Sequence, residues 1–226
     1  LEHLRQELVV ARQLQIGMLP TRQPLFPERQ DVEIAGMMEA ASSIGGDLFD
    51  AFFVDEQRMF FCIGDVSGHG IPAAMFMARA VSLMRIAAFD TDCPGILLER
   101  INEQLCAGND ANMFVTLFCG IFEIATGRVV YANGGHLPPV ILRDSQVGRL
   151  VIPKGTILGV IPGISYTPRE VILAPGDFIL CFTDGVSEAQ TPAGEEFSEE
   201  RLLGLVAQAT SDSLDRILSS VRREVA

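Results

Sequence analysis

Three aspartates in this 226-residue chain stand beside glycine at the edge of an apolar run: Asp47 after Gly45 and Gly46, Asp65 after Gly64, and Asp184 before Gly185. Glycine at such a place lets the backbone bend or another chain segment approach closely. Carboxylates brought together from strand ends repel one another unless cations lie between them. Hard oxygen donors select Mg²⁺ or Mn²⁺, whereas zinc prefers His and Cys, which this sequence does not cluster. Two such ions roughly 3.5 to 4 Å apart lower the pKa of a bridging water and clamp phosphoryl oxygens for in-line attack. That chemistry needs no side-chain nucleophile, and the sequence offers neither a Gly-x-Ser-x-Gly elbow nor a Cys with a His nearby. The plainer alternative for Asp65 is an Asx turn, its carboxylate accepting from the next backbone amides.

The elements that must position these residues follow from periodicity. Leu1 to Leu19 is rich in Leu, Arg, Gln and Glu, with Leu1, Leu4, Leu8, Ala11 and Met18 on one seam and the polar Gln15 interrupting it; it is expected to be helical until Pro20. Asp31 to Ala40 is a strand candidate. Leu48 to Val54 and Arg58 to Ile63 form a hairpin across Asp55 to Gln57, and its register places Asp47 and Asp65 at one end of a sheet. Gly68 and Gly70 bend the chain into a helix from Ile71 to Phe89 that is apolar almost all round, as if buried between layers. A second helix, Asp92 to Cys106, turns Ile96, Leu97, Ile101 and Leu105 inward and closes at Gly108. Phe114 to Glu123, Arg128 to Ala132 and Pro139 to Leu142 are three strands at antiparallel hairpin spacing, with His136 in the intervening turn as a structural hydrogen-bonder. Arg169 to Leu173 and Phe178 to Phe182 add strands, the latter running out at Asp184, and Glu199 to Gln208 and Ser213 to Val225 are closing helices capped near Asp212 and Asp215.

Composition sets bounds. With 48% hydrophobic and 20% charged residues the chain buries a sizeable core. A net charge of -12 without clustered Lys and Arg argues against nucleic acid as a partner. No apolar stretch reaches the roughly 18 residues of a membrane span and no signal peptide opens the chain, so a cytoplasmic location is expected. The five cysteines lack a Cys-x-x-Cys pair, and Cys62, Cys119 and Cys181 fall in apolar runs as reduced, buried thiols.

Taken in order, SIGGDLFD, GDVSGHGIPAAM, MFVTLFCGIFEIATGRVVYANGGHLPP, LGV and FTDGVSEA with the following FSEERL resemble the motifs of the bacterial SpoIIE/RsbU-like protein serine phosphatases, within the metal-dependent type 2C superfamily. The resemblance covers roughly residues 16 to 203. It implies an α+β fold, a four-layer α-β-β-α sandwich of two antiparallel sheets, with two Mn²⁺ or Mg²⁺ ions. It also implies roles: Asp65 bridging the metals, Val66 offering its backbone carbonyl, Asp184 ligating one metal, and Asp47 holding the other partly through water, with Asp47 and Asp65 as the catalytic pair. His69 stands where Lys is frequent in the family and receives no role. The substrates implied are phosphoserine or phosphothreonine proteins, typically anti-sigma-factor antagonists of the STAS type. Residues 1–19 then resemble a helical linker from an upstream sensor or receiver module, with a homodimer contact along its seam, and residues 20–226 the phosphatase domain. The family order continues past the last helix with a strand bearing an Asp-Asp pair, so weak or incomplete metal binding is expected of residues 1–226.

Two other readings compete. Gly68-His-Gly70-Ile-Pro-Ala73 satisfies a dinucleotide-binding turn, but Asp65 would repel a pyrophosphate and the following helix leaves no room for the strand that should hold the ribose. A catalytically silent phosphatase-like module that serves as a binding scaffold is the alternative from another functional class.

Overall fold

The computed structural model describes residues 2–20, 25–39, 44–190, 194–208 and 213–225. In chain order its elements are α1 (Glu2–Gly17), β1 (Leu48–Phe53), β2 (Arg58–Val66), α2 (Ile71–Ala87), α3 (Pro94–Cys106), β3 (Val115–Glu123) and β4 (Arg128–Gly134). There follow β5 (Val140–Arg143), β6 (Gln146–Arg149), β7 (Arg169–Ile172), β8 (Phe178–Leu180), α4 (Asp184–Ser187), α5 (Glu199–Gln208) and α6 (Leu214–Val225). They fall into two compact units. One comprises Leu1–Thr21, Met38–His136 and Ile152–Val171; the other Arg22–Met37, Leu137–Val151 and Ile172–Ala226.

The first unit is built on a five-stranded sheet in the order β1-β2-β3-β4-β7, antiparallel from β1 through β4. Its first hairpin closes because the Asp55 carboxylate accepts from the backbone amides of Gln57 at 2.9 Å and Arg58 at 2.8 Å. Alternation along β2 then sorts the side chains. Phe60, Cys62 and Val66 enter the core shared with α2 and α3, while Phe61, Ile63 and Asp65 point to the opposite face. Burying a side chain such as Phe60, with no exposed surface, is worth about 1.5–3 kcal/mol.

Helix α2 begins after Gly70, whose φ of 74° suits glycine, and carries proline in its first turn. It buries Ala73, Phe76, Met77, Ala80, Val81 and Met84, but Met75 and Ile86 are 70% and 68% exposed. The expectation of a helix covered on all sides is therefore corrected: one face is open, carrying Met75 and Ile86 together with Ser82 and Arg85. On α3 the inner face is Leu97, Leu98, Ile101 and Leu105, and Ile96 faces outward. The buried Asn102 donates to the Ile161 carbonyl and accepts from the Gly159 amide, fastening the loop after Leu158 to α3. Met18 packs against this core, and Leu8, Ala11 and Gln15 are half-buried, whereas Val9, Val10, Leu14 and Ile16 are exposed.

The second unit holds a three-stranded sheet, β6-β5-β8, both pairs antiparallel. The β5–β6 hairpin turns on Asp144 and Ser145, with φ of 51° and 61°. Val140, Phe182, Phe197, Leu202, Val206, Ile217 and Val221 form its core, with α5 and α6 supplying the last four. Three sequence readings change here. Pro139 to Leu142 does not extend the β3–β4 meander but pairs with β6 and β8, and β6 itself went unread because Gly148 and the polar ends Gln146 and Arg149 mask its alternation. Residues 31–39, although Val32, Ile34 and Met38 alternate with Asp31, Glu33 and Glu39, form a single bridge, Leu25 to Ile34, and no strand. Asp212 lies outside the described residues, and Asp215 sits in the first turn of α6. No helix among the described residues is long and apolar enough to cross a membrane.

The class is α+β with two antiparallel sheets, as the motifs implied.

Candidate functional site

Strand β2 is hydrogen-bonded on both sides, to β1 and to β3, along most of its nine residues. On the β3 side Asp65 lies opposite Thr116 and Val66 opposite Val115. On the β1 side Leu48 lies opposite Gly64, and the ladder runs one step further, the Val66 amide donating to the Gly46 carbonyl at 3.3 Å. Asp47 therefore stands across from Asp65, as the hairpin register predicted. The strand continues through Asp65 and Val66 rather than ending at Ile63, so Asp65 belongs to the sheet and Gly64 is not a turn residue.

Glycine serves here by its lack of a side chain. A Cβ on Gly46 would come within 2.5 Å of the Val66 carbonyl oxygen and 3.1 Å of Asp65 Oδ1. One on Gly64 would meet the Thr116 carbonyl oxygen at 2.5 Å. The Asp65 carboxylate and the Val66 carbonyl thus lie where only a glycine can close over them. Beyond Val66, the Ser67 amide donates to the Phe114 carbonyl at 2.9 Å and the Phe114 amide to Ser67 Oγ at 3.0 Å, which fixes the exit from the strand. Gly68 and Gly70, both at positive φ, then reverse the chain past the exposed His69 into α2.

Beside Asp65, Thr116 Oγ1 lies 2.9 Å from His136 Nδ1, and the His136 amide donates to Asn133 Oδ1 at 3.0 Å. His136 and Asn133 are buried, which is the structural, hydrogen-bonding setting expected of that histidine. Burial pushes the Cys119 thiol well above its usual range and the Cys181 thiol up to about 12, so neither is a thiolate at neutral pH.

Asp184 is placed differently. It belongs to the second unit and is the first residue of the one-turn helix α4, exposed, its carbonyl accepting from the Glu188 amide at 2.7 Å. Strand β8 stops at Leu180, paired with Val140, and not at Phe182. Among the described residues no three His, Cys, Asp or Glu side chains form a group able to hold a metal ion. Asp47, Asp65 and the Val66 carbonyl in the first unit are hard oxygen donors, the kind that Mg²⁺ or Mn²⁺ takes with water completing the set.

Sequence reasoning missed two supports of this site. Arg85 of α2 donates to the buried Asp50 at 2.6 Å and to the Met18 carbonyl at 2.9 Å. Gln15 of α1 donates to the Gly45 carbonyl at 2.6 Å and accepts from its amide at 3.3 Å. A polar residue on an otherwise apolar seam was the available signal for the second.

The architecture is antiparallel α+β, with Asp47 and Asp65 at adjoining strand positions. Residues 55–226 match the family described as Stage II sporulation protein E (SpoIIE), and the chain belongs to that family. It is 30% identical to Protein IcfG of Synechocystis sp., over 98% of this chain and 38% of that protein. It is 26% identical to Phosphoserine phosphatase RsbU of Bacillus subtilis, over 96% of this chain and 66% of that one. The chain thus spans less than two thirds of either relative. Among solved structures, the SiaA-PP2C domain of Pseudomonas aeruginosa matches all of this chain and 90% of its own with a TM-score of 0.83 at 18% identity, a likeness of fold.

Proposed function

We propose that this chain is a metal-dependent protein serine/threonine phosphatase domain that hydrolyses phosphoserine or phosphothreonine on a regulatory protein. The observation that carries the reading is Asp47 across from Asp65, beside the Val66 carbonyl, at a sheet end cleared by Gly46. The name of the RsbU relative, a phosphoserine phosphatase, points the same way. Asp47 and Asp65 would hold Mn²⁺ or Mg²⁺ through their carboxylates and Val66 through its carbonyl; Asp184 is a further metal-ligand candidate on the motif resemblance alone. Bound there, the cations supply a water of lowered pKa and neutralise phosphoryl charge. The protein's own part is to fix the donors: pairing on both sides of β2 holds Asp65 in place without a mobile loop, and no side chain need form a covalent intermediate.

The finer proposal is that the substrate is a STAS-type anti-sigma-factor antagonist and that an upstream sensor or receiver module acts through α1, on the motif resemblance; that α1 makes a homodimer contact, on its apolar seam; and that the setting is cytoplasmic, on the sequence's want of a membrane-spanning stretch. The test is hydrolysis of p-nitrophenyl phosphate and of a phosphoserine peptide with Mn²⁺, with Mg²⁺ and with excess EDTA. Turnover that needs the cation and disappears in Asp65→Asn supports the reading. Equal turnover in EDTA rejects it, and stoichiometric Mn²⁺ binding without any turnover favours the silent scaffold.

A further inference from the structure

Asp47 precedes the first residue of β1, so its position depends on the segment that leads into the strand. That segment is held from outside the sheet at two points. On the upstream side the side-chain amide of Gln15 makes both hydrogen bonds that a neighbouring β-strand would make to Gly45, donating to its carbonyl at 2.6 Å and accepting from its amide at 3.3 Å. On the downstream side Asp50, 3% exposed, is held by Arg85 at 2.6 Å, and the same guanidinium reaches the Met18 carbonyl just beyond α1. Between these points Gly46 closes against Val66 and the Asp65 carboxylate.

We infer that Gln15 is a positioning residue for the metal-holding pair: its amide fixes Gly45, and through Gly45 and Gly46 sets where the Asp47 carboxylate stands relative to Asp65. The inference deepens the phosphatase reading and rests on it. A two-bond clamp on a glycine pair has a clear physical role. Glycine carries the largest backbone freedom of any residue, so a segment of two glycines before a ligand scatters that ligand unless something outside orders it. Groups that orient metal ligands typically account for 10–100-fold in affinity. Gln15 also explains its own place on the helix, since an apolar residue there would leave both Gly45 backbone groups without this partner.

The experiment uses residues 1–226 with Gln15→Ala, with Gln15→Met, which keeps the length and packing of the side chain but neither bond, and with Gln13→Ala, an exposed neighbour on α1, as control. Calorimetric titration with Mn²⁺ alone, amide hydrogen exchange at Gly45 and thermal melting are read on each. Both Gln15 variants are expected to bind Mn²⁺ about 10-fold or more weakly, to exchange the Gly45 amide faster and to melt as the control does, with turnover recovering as Mn²⁺ is raised. A wild-type affinity in Gln15→Met, or unchanged Gly45 exchange, overturns the inference. Should the unsubstituted chain bind no Mn²⁺, the phosphatase reading falls and takes Gln15's metal role with it. Loss of Mn²⁺ binding in the Gln15 variants that excess Mn²⁺ does not reverse, together with a lowered melting point, also overturns it, since that is a purely structural effect.

Discussion

The two sheets hold their aspartates by different means. In the first unit Asp65 sits inside a nine-residue strand bonded to neighbours on both sides, over a core in which Phe60, Met77, Leu97 and Leu117 have no exposed surface. In the second, Asp184 follows a three-residue strand whose side chains are all half-exposed, and rides on a single helical turn. A carboxylate in a doubly paired strand has few other places to go, whereas one on an isolated turn shares the low stability of its surroundings. Metal affinity demands the first arrangement more than the second, because every ligand that must be ordered on binding weakens the site.

The sharpest way to break this contrast is to remove each carboxylate in turn. Asp65→Asn is expected to lower kcat/KM on a phosphoserine peptide by about 10³-fold, roughly 4 kcal/mol, and Asp184→Asn by on the order of 10²-fold. Equal losses, measured at saturating Mn²⁺, would show that the strand setting confers no advantage. Stability gives the second comparison. Phe60→Ala should cost about 3–5 kcal/mol in urea unfolding and Phe178→Ala about 1–2, since Phe178 is only half-buried. Two Gly→Ala changes sharpen it further. At Gly46 the new methyl meets the backbone oxygen of Val66 at 2.5 Å, which cannot rotate away, so a cost of about 1–3 kcal/mol and weaker Mn²⁺ binding are expected. At Gly185 the nearest atom is Thr183 Oγ1 at 3.7 Å, and the same change should stay within about 0.5 kcal/mol.

The smallest effect concerns pH. The amide of Gln57 and the guanidinium of Arg58 hold the Asp55 carboxyl below its ordinary value of 3.8. A depressed folded-state pKa stabilises above that ordinary value and ceases to do so as pH falls through the folded one. Asp55→Asn should therefore melt slightly below the parent at pH 7, with the gap closing below about pH 3.8. A gap that persists at pH 2 would assign the turn's contribution to shape rather than charge.

Much of the first unit was legible because its signals are local. A hairpin fixes register by counting, so Asp47 and Asp65 could be set side by side from the distance of each to the Asp55 turn. Antiparallel pairing of β3 with β4 followed in the same way. What could not be read depends on partners far off in sequence. Whether Met75 or Met77 is covered depends on which face of α2 meets the sheet, and a run as uniformly apolar as PAAMFMARAV does not say. Pro139 to Leu142 has hairpin spacing from β4 but belongs to another sheet, because sequence spacing states how a strand can turn and not which edge it joins. The roles of Gln15 and Arg85 were hidden for the same reason, their partners lying 30 and 35 residues away.

The Asp144-Ser145 turn offers an engineering handle. Both residues are left-handed, a conformation in which two consecutive non-glycine side chains are strained and for which Asn-Gly is the favoured dipeptide. Replacing them with Asn-Gly would relieve the strain without touching either core, tightening the three-stranded sheet from its tip. The same exposed tip is suited to accept an inserted affinity peptide or fluorophore, since the chain there is a solvent-facing reversal between two short strands.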